Sequence, residues 1–160
     1  MYRLGHVGAA LLAYVPVGIA LSLTASPALG ALGGLVALAL STLPDADEHL
    51  PIRHRGPTHS IPFVVAVSGL LGALAAGTAP FMGLAPAMTG AVCATAAAIS
   101  LLSHLAADSV TPMGIRPFWP VSDRHYTFDV TPAKNPRANW ALFAAGLAVT
   151  GLGAVVVVLV

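Results

Sequence analysis

Five long apolar runs, separated by short polar gaps, organise this chain. They cover residues 5–23, 28–43, 61–76, 84–107 and 139–160. A helix that crosses a bilayer needs roughly 17–25 apolar residues, so the pattern predicts five transmembrane helices in an all-α, polytopic bundle. The second run is short, about 24 Å at 1.5 Å per residue. It is therefore either a minimal span or a re-entrant segment. The last run ends in Val155-Val-Val-Val-Leu-Val160, which in water would favour a strand. In hydrocarbon each segment must satisfy its own backbone groups, so helix is expected there as well. Gly and Ala recur within the runs, as in Gly30-Ala-Leu-Gly-Gly34, where small residues let helices approach closely.

The polar positions are as ordered as the apolar ones. All Asp, Glu, Lys, Arg and His residues fall in three places: the first six residues, residues 44–60 and residues 104–137. The remaining gaps, near residues 24–27 and 77–83, carry none. With five spans, all three charged places share one membrane face. Because they hold all seven Lys and Arg, that face is expected to be cytoplasmic, with the N-terminus inside and the C-terminus outside. Trp119 and Trp140 flank the last charged stretch, where interfacial aromatics belong, and Phe118-Trp119-Pro120 is placed to reach the headgroup layer.

Composition agrees with a membrane protein. Only 8% of the 160 residues are charged and mean hydropathy is +0.85, whereas soluble domains carry about 25% charge. The expectation is a single integral membrane domain, residues 1–160, in the inner (cytoplasmic) membrane. A net charge of +1 supplies no basic patch for nucleic acid. Cys93, alone in an apolar run, can form no disulfide within the chain. Arg3, the following apolar run and Ala25-Ser26-Pro27-Ala28 resemble a signal peptide, but the run is long for one, so retention is expected.

Gathering His and carboxylates at one face suggests metal chemistry. His104 and Asp108 are four residues apart at a helix end and share a face. Thr111-Pro112 ends that helix. Asp45, Asp47 and Glu48 follow directly on the second run; Asp45 is the better ligand candidate, while Glu48 and His49 are expected to face water. In His54-Arg55-Gly56-Pro57-Thr58-His59-Ser60, Gly-Pro forces a turn between two histidines. Ser60 can cap the next helix, with Pro62 in its first turn. His6 lies at the same membrane depth. Ligands from several helix ends are how bundles hold metals. The candidate ligands are His6, Asp45, His54, His59, His104 and Asp108, for one or two divalent ions. Zinc is favoured, with Mn, Fe or Mg also compatible. His125 and Tyr126 lie on the long loop and are weaker candidates.

These blocks together resemble the LexA-regulated, membrane-bound metal-dependent hydrolases, the YdjM-like family. The blocks are His6, Leu43-Pro44-Asp45-Ala46-Asp47, His54 to Ser60, and His104-Leu-Ala-Ala-Asp108-Ser-Val-Thr111-Pro112-Met-Gly114. They run in order over essentially the whole chain. Gly5 stands where the family often has Thr, and Glu48-His49 replace an apolar or Pro-containing continuation. A weaker similarity is to zinc-dependent phospholipase C, although Met113-Gly114 stand where that pattern has a further His.

The resemblance implies a metal-dependent hydrolase. The membrane location suggests a phosphoester of a lipid or of another membrane-associated substrate. A metal lowers the pKa of its bound water from about 15.7 toward about 7. Asp47 or Asp108 is the expected proton acceptor, and Arg55 the expected stabiliser of phosphoryl charge. Two alternatives come from other classes: a metal-binding or metal-transporting protein without hydrolysis, and a structural or regulatory membrane protein. A metalloprotease is disfavoured, since no H-E-x-x-H occurs.

Overall fold

A computed structural model describes Met1–Val160. Five α-helices are present: α1 (Arg3–Thr24), α2 (Pro27–Leu40), α3 (Ile61–Thr78), α4 (Pro86–Ser109) and α5 (Pro136–Leu159). Short 3-10 turns follow α2 at Pro44–His49, precede α3 at Pro57–His59, and follow α3 at Ala79–Met82. All five spans are long and apolar enough to cross a membrane. Their ends lie close to the expected ones.

The differences have local causes. The α-helical part of α2 stops at Leu40, three residues early. Pro44 has no N–H to give to the Leu40 carbonyl, and the chain tightens into Ser41 N–H to Leu38 O and Leu43 N–H to Leu40 O bonds. α5 begins three residues early, at Pro136, because Asn135 caps it: its Oδ1 accepts from the Arg137 and Ala138 amides at 3.0 and 3.3 Å. Ser60 caps α3, as expected.

The helices alternate in direction. α1, α3 and α5 begin at one end of the bundle, and α2 and α4 finish there. The short second segment is thus a full crossing rather than a re-entrant one, completed by the 3-10 turn that carries Asp45. α4 lies at the centre. In its most apolar stretch 56% of residues are buried, against 11% in α5. Its inward positions are small, including Ala96, Ala97 and Ser100, while large apolar side chains such as Leu35, Leu70, Leu152 and Val158 face outward, where lipid would be.

Two glycine pairs sit at close crossings. A Cβ on Gly8 would collide with the α5 backbone at Leu142 and Phe143, and one on Gly146 would lie 2.8 Å from the Gly8 carbonyl. Gly72 and Gly90 stand in the same relation between α3 and α4.

The stretch between α4 and α5 folds back over the charged end. Ile115 and Tyr126 exchange two backbone bonds of 2.9 Å, and Ile61 N–H donates to Pro117 O at 2.8 Å. This stretch is therefore fastened to the start of α3, and the two charged loops meet.

Candidate metal centre

Each central side chain arrives from a different helix end. His6 is in the first turns of α1. Asp45 is in the 3-10 turn after α2. His59 precedes α3, and His104 and Asp108 close α4. His6, His59, His104 and Asp108 are fully buried, whereas the Asp45 side chain is 20% exposed. Access to the cluster therefore passes Asp45.

The hydrogen bonds around the rings fix their tautomers. His104 Nδ1 lies 2.8 Å from the Ser41 carbonyl. A carbonyl only accepts, so Nδ1 carries the proton and Nε2 presents a lone pair. Thr58 Oγ1 donates to Asp47 Oδ2 at 2.7 Å. Having given its proton there, it can only accept from His59 Nδ1, 3.0 Å away. His59 Nε2 is then also a bare lone pair. The two Nε2 atoms sit 3.2 Å apart, an arrangement that repels unless a cation lies between them.

Two carboxylate oxygens complete the array. Asp45 Oδ1 is 3.4 Å from both Nε2 atoms. Asp108 Oδ2 is 3.3 Å from His59 and 3.6 Å from His104. Donors bound tetrahedrally at about 2.0–2.1 Å lie about 3.3–3.4 Å apart, and these separations, 3.2 to 3.6 Å, bracket that spacing. Asp108 Oδ2 is buried without any hydrogen-bond partner, a costly state for a carboxylate oxygen. The donor set therefore suits a divalent metal.

A second, overlapping set replaces His59 by His6: one donor atom from each of His6, Asp45, His104 and Asp108 lies within 4.8 Å of the others. His6 Nε2 is 3.4 Å from Asp108 Oδ1 and 3.6 Å from Asp45 Oδ2, and the ring stacks on His104 with centroids 3.6 Å apart. His6 Nε2 also lies 3.0 Å from the Met1 carbonyl, so by the same rule Nε2 carries the proton in this arrangement and the unpartnered Nδ1 holds the lone pair; the Met1 amino group contacts Asp108. Asp45, His104 and Asp108 are common to both sets.

The other expected site residues lie one layer out. Asp47 is almost fully buried, and both of its oxygens are engaged. Its Oδ1 meets His54 Nδ1 at 2.7 Å, and its Oδ2 accepts from the Arg55 amide at 3.0 Å and from Thr58. These contacts place Asp47 behind His59, which it orients through Thr58, and one layer away from the clustered donor atoms. His54 likewise holds Asp47 instead of joining the cluster.

Arg55 is also reassigned. Its Nη2 donates to Asp108 Oδ1 at 2.9 Å, and its Nη1 donates to Thr111 Oγ1 at 2.8 Å and to Gly114 O at 3.1 Å. These contacts commit both Nη atoms to Asp108, Thr111 and Gly114 inside the protein, and only the buried Nε is left without a partner. Arg55 adopts a left-handed backbone, φ 56°, which turns the chain between His54 and His59. Glu48 and His49 face water as expected, and His125 is exposed, bonded to Met113 O at 2.8 Å.

Three contributors escaped the sequence reading. Thr58 and Thr111 stood inside the quoted blocks, next to His59 and Pro112, but carried no ligand signal of their own. Ser41 acts through its backbone carbonyl, which leaves no trace in side-chain identity.

A family model described as YdjM inner membrane protein matches residues 1–160. No curated protein and no solved structure matches the chain. The likeness to zinc-dependent phospholipase C has no counterpart among these comparisons.

Proposed function

The chain belongs to the YdjM inner membrane protein family, and from that premise we propose that it is a metal-dependent hydrolase acting on a phosphoester of a lipid or of another membrane-associated substrate. The convergence of two imidazole lone pairs and two carboxylate oxygens on one point, one oxygen otherwise orphaned, carries this proposal. His59, His104 and Asp108 would hold the cation, with His6 beside them and Asp45 on the open side. Zinc suits these donors best, since two imidazoles and a carboxylate are ligands it takes in catalytic sites, where the fourth position is left to water.

A divalent cation there would supply Lewis acidity and activate water near neutral pH. The protein's own part is orientation and charge. Asp47 and Thr58 lock the His59 tautomer, Ser41 locks that of His104, and Arg55 keeps Asp108 ionised and in place. Asp45, the member facing the opening, is the carboxylate placed to take a proton from water. The Lys and Arg distribution supports a cytoplasmic position for this face.

Transport is the weaker reading. Of the mid-depth hydroxyls, Ser100 is tied to Ala37 O at 2.6 Å and Thr89 to Ala85 O at 2.9 Å, Ser68 stands buried without a partner, and no acid or His joins them into a polar path.

The test is elemental analysis of the detergent-solubilised protein beside His104→Ala, followed by turnover assays of the loaded protein on phospholipids and other phosphoesters. Stoichiometric metal in the wild type, lost in the variant, together with metal-dependent turnover that Asp108→Ala abolishes, is expected. Absence of metal after reconstitution with Zn or Mn would refute the site. Bound metal with no phosphoester turnover would refute the hydrolase.

A further inference from the structure

A cavity of about 270 Å³ lies on the same face of the bundle and contains no residue of the metal cluster. The Arg53–Pro57 turn forms one wall, and the loop from Arg116 to Asp123 forms the other. The Ile61 to Pro117 backbone bond holds the two walls together. Arg53 and Arg116 both line the cavity, with Asp123 and Trp119 opposite Gly56. The one arginine in an ion pair is Arg55, so neither Arg53 nor Arg116 is neutralised by a carboxylate.

Apolar side chains stand exposed on both walls' segments: Ile52 and Trp119, which line the cavity, are 42% and 37% exposed, and their loop neighbours Phe118 and Val121 are 49% and 91% exposed. Large apolar side chains on a charged loop beside the ends of five spans are explained by contact with the bilayer interface. The cavity mouth is thus set at headgroup depth.

We infer that this cavity docks the head of a phospholipid that carries a primary ammonium beside its phosphodiester. Paired guanidiniums match phosphate oxygens in charge and in planar geometry. The Asp123 carboxylate and the Trp119 face then receive the ammonium. Every charged group lining the cavity acquires a partner in this arrangement. A head with phosphate alone leaves Asp123 facing like charge, and a quaternary ammonium offers Asp123 no N–H. Ligand pockets for whole small molecules run about 300–1,000 Å³, so the volume suits a head group with its acyl chains left in the membrane. The docking site stands without the metal centre, since the two share no residue.

Native mass spectrometry of the full chain, chelator-treated in mild detergent, tests it. The protein is offered an equimolar mixture of phosphatidylethanolamine, phosphatidylglycerol and phosphatidylcholine with matched acyl chains. Phosphatidylethanolamine should be retained roughly tenfold over the other two, about 1.4 kcal/mol. Arg53→Gln with Arg116→Gln should lose that retention. Asp123→Asn, a change at an exposed loop residue, should keep lipid bound but erase the preference over phosphatidylglycerol. Circular dichroism and hydrodynamic size serve as folding controls. Equal retention of the three lipids, or an unchanged preference in Asp123→Asn, overturns the inference. Displacement by soluble glycerophosphoethanolamine as effectively as by the intact lipid overturns the assignment to a membrane lipid.

Discussion

Replacing Arg55 by Met asks whether the buried Asp108 carboxylate depends on the guanidinium beside it. Asp108 is wholly buried and Arg55 is 6% exposed. The substitution removes the 2.9 Å bond to Asp108 and the Nη1 bonds to Thr111 and Gly114, while a Met side chain keeps much of the stem volume. Both residues meet the same strain at φ 56°, so the backbone contribution cancels. Removing one partner of a buried ion pair costs about 3–5 kcal/mol, a large share of a typical total of about 5–15 kcal/mol. Reversible unfolding in mixed micelles with chelator present should register that loss. Zinc should narrow the gap, because a divalent cation on Asp108 Oδ2 takes over the compensation and so binds the variant more tightly; each tenfold difference in Kd closes about 1.4 kcal/mol at saturation. In an Asp108→Asn background the same change should cost much less, since the buried carboxylate that the guanidinium compensates is already gone. A loss below about 1 kcal/mol with chelator, on the scale of an exposed pair, would refute the reasoning, as would an equal loss in both backgrounds.

Two further outcomes follow from other parts of the structure. Thr58→Val removes the hydroxyl that accepts from His59 Nδ1 and donates to Asp47; metal affinity measured by competition with a chromophoric chelator should fall about 10–100-fold, with the helices intact and with Thr58→Ser restoring it. Gly8→Val drives a side chain into the α5 backbone, so it should cost more than the about 1–3 kcal/mol of ordinary overpacking and separate α1 from α5, read as a lower midpoint in the same unfolding assay; wild-type stability would refute the close crossing.

Much of the architecture was legible because the bilayer leaves few choices. An apolar run of sufficient length must be a helix, since no water is present to satisfy its backbone. The five runs and their order followed from that alone. The ends shifted where a local group intervened, as at Pro44 and Asn135. Likewise, the four-residue spacing of His104 and Asp108 fixed their common face before any fold was known. The confinement of charge to three places fixed that these residues meet at one end.

The sequence by itself therefore determined a five-span helical membrane protein of a recognisable family with a His and Asp cluster at one face. Only the tertiary structure decided which members of that cluster look inward. His54 and His59 lie in one short turn, as Asp45 and Asp47 do in another, yet one of each pair enters the cluster and the other supports it from behind. The Ser41 carbonyl that sets the His104 tautomer is 63 residues away in the chain, and the Arg55 guanidinium reaches Asp108 across 53. Periodicity and spacing describe one helix at a time. The direction of a lone pair is set by whatever donor or acceptor a different helix brings against it, and that becomes known only when the helices are packed.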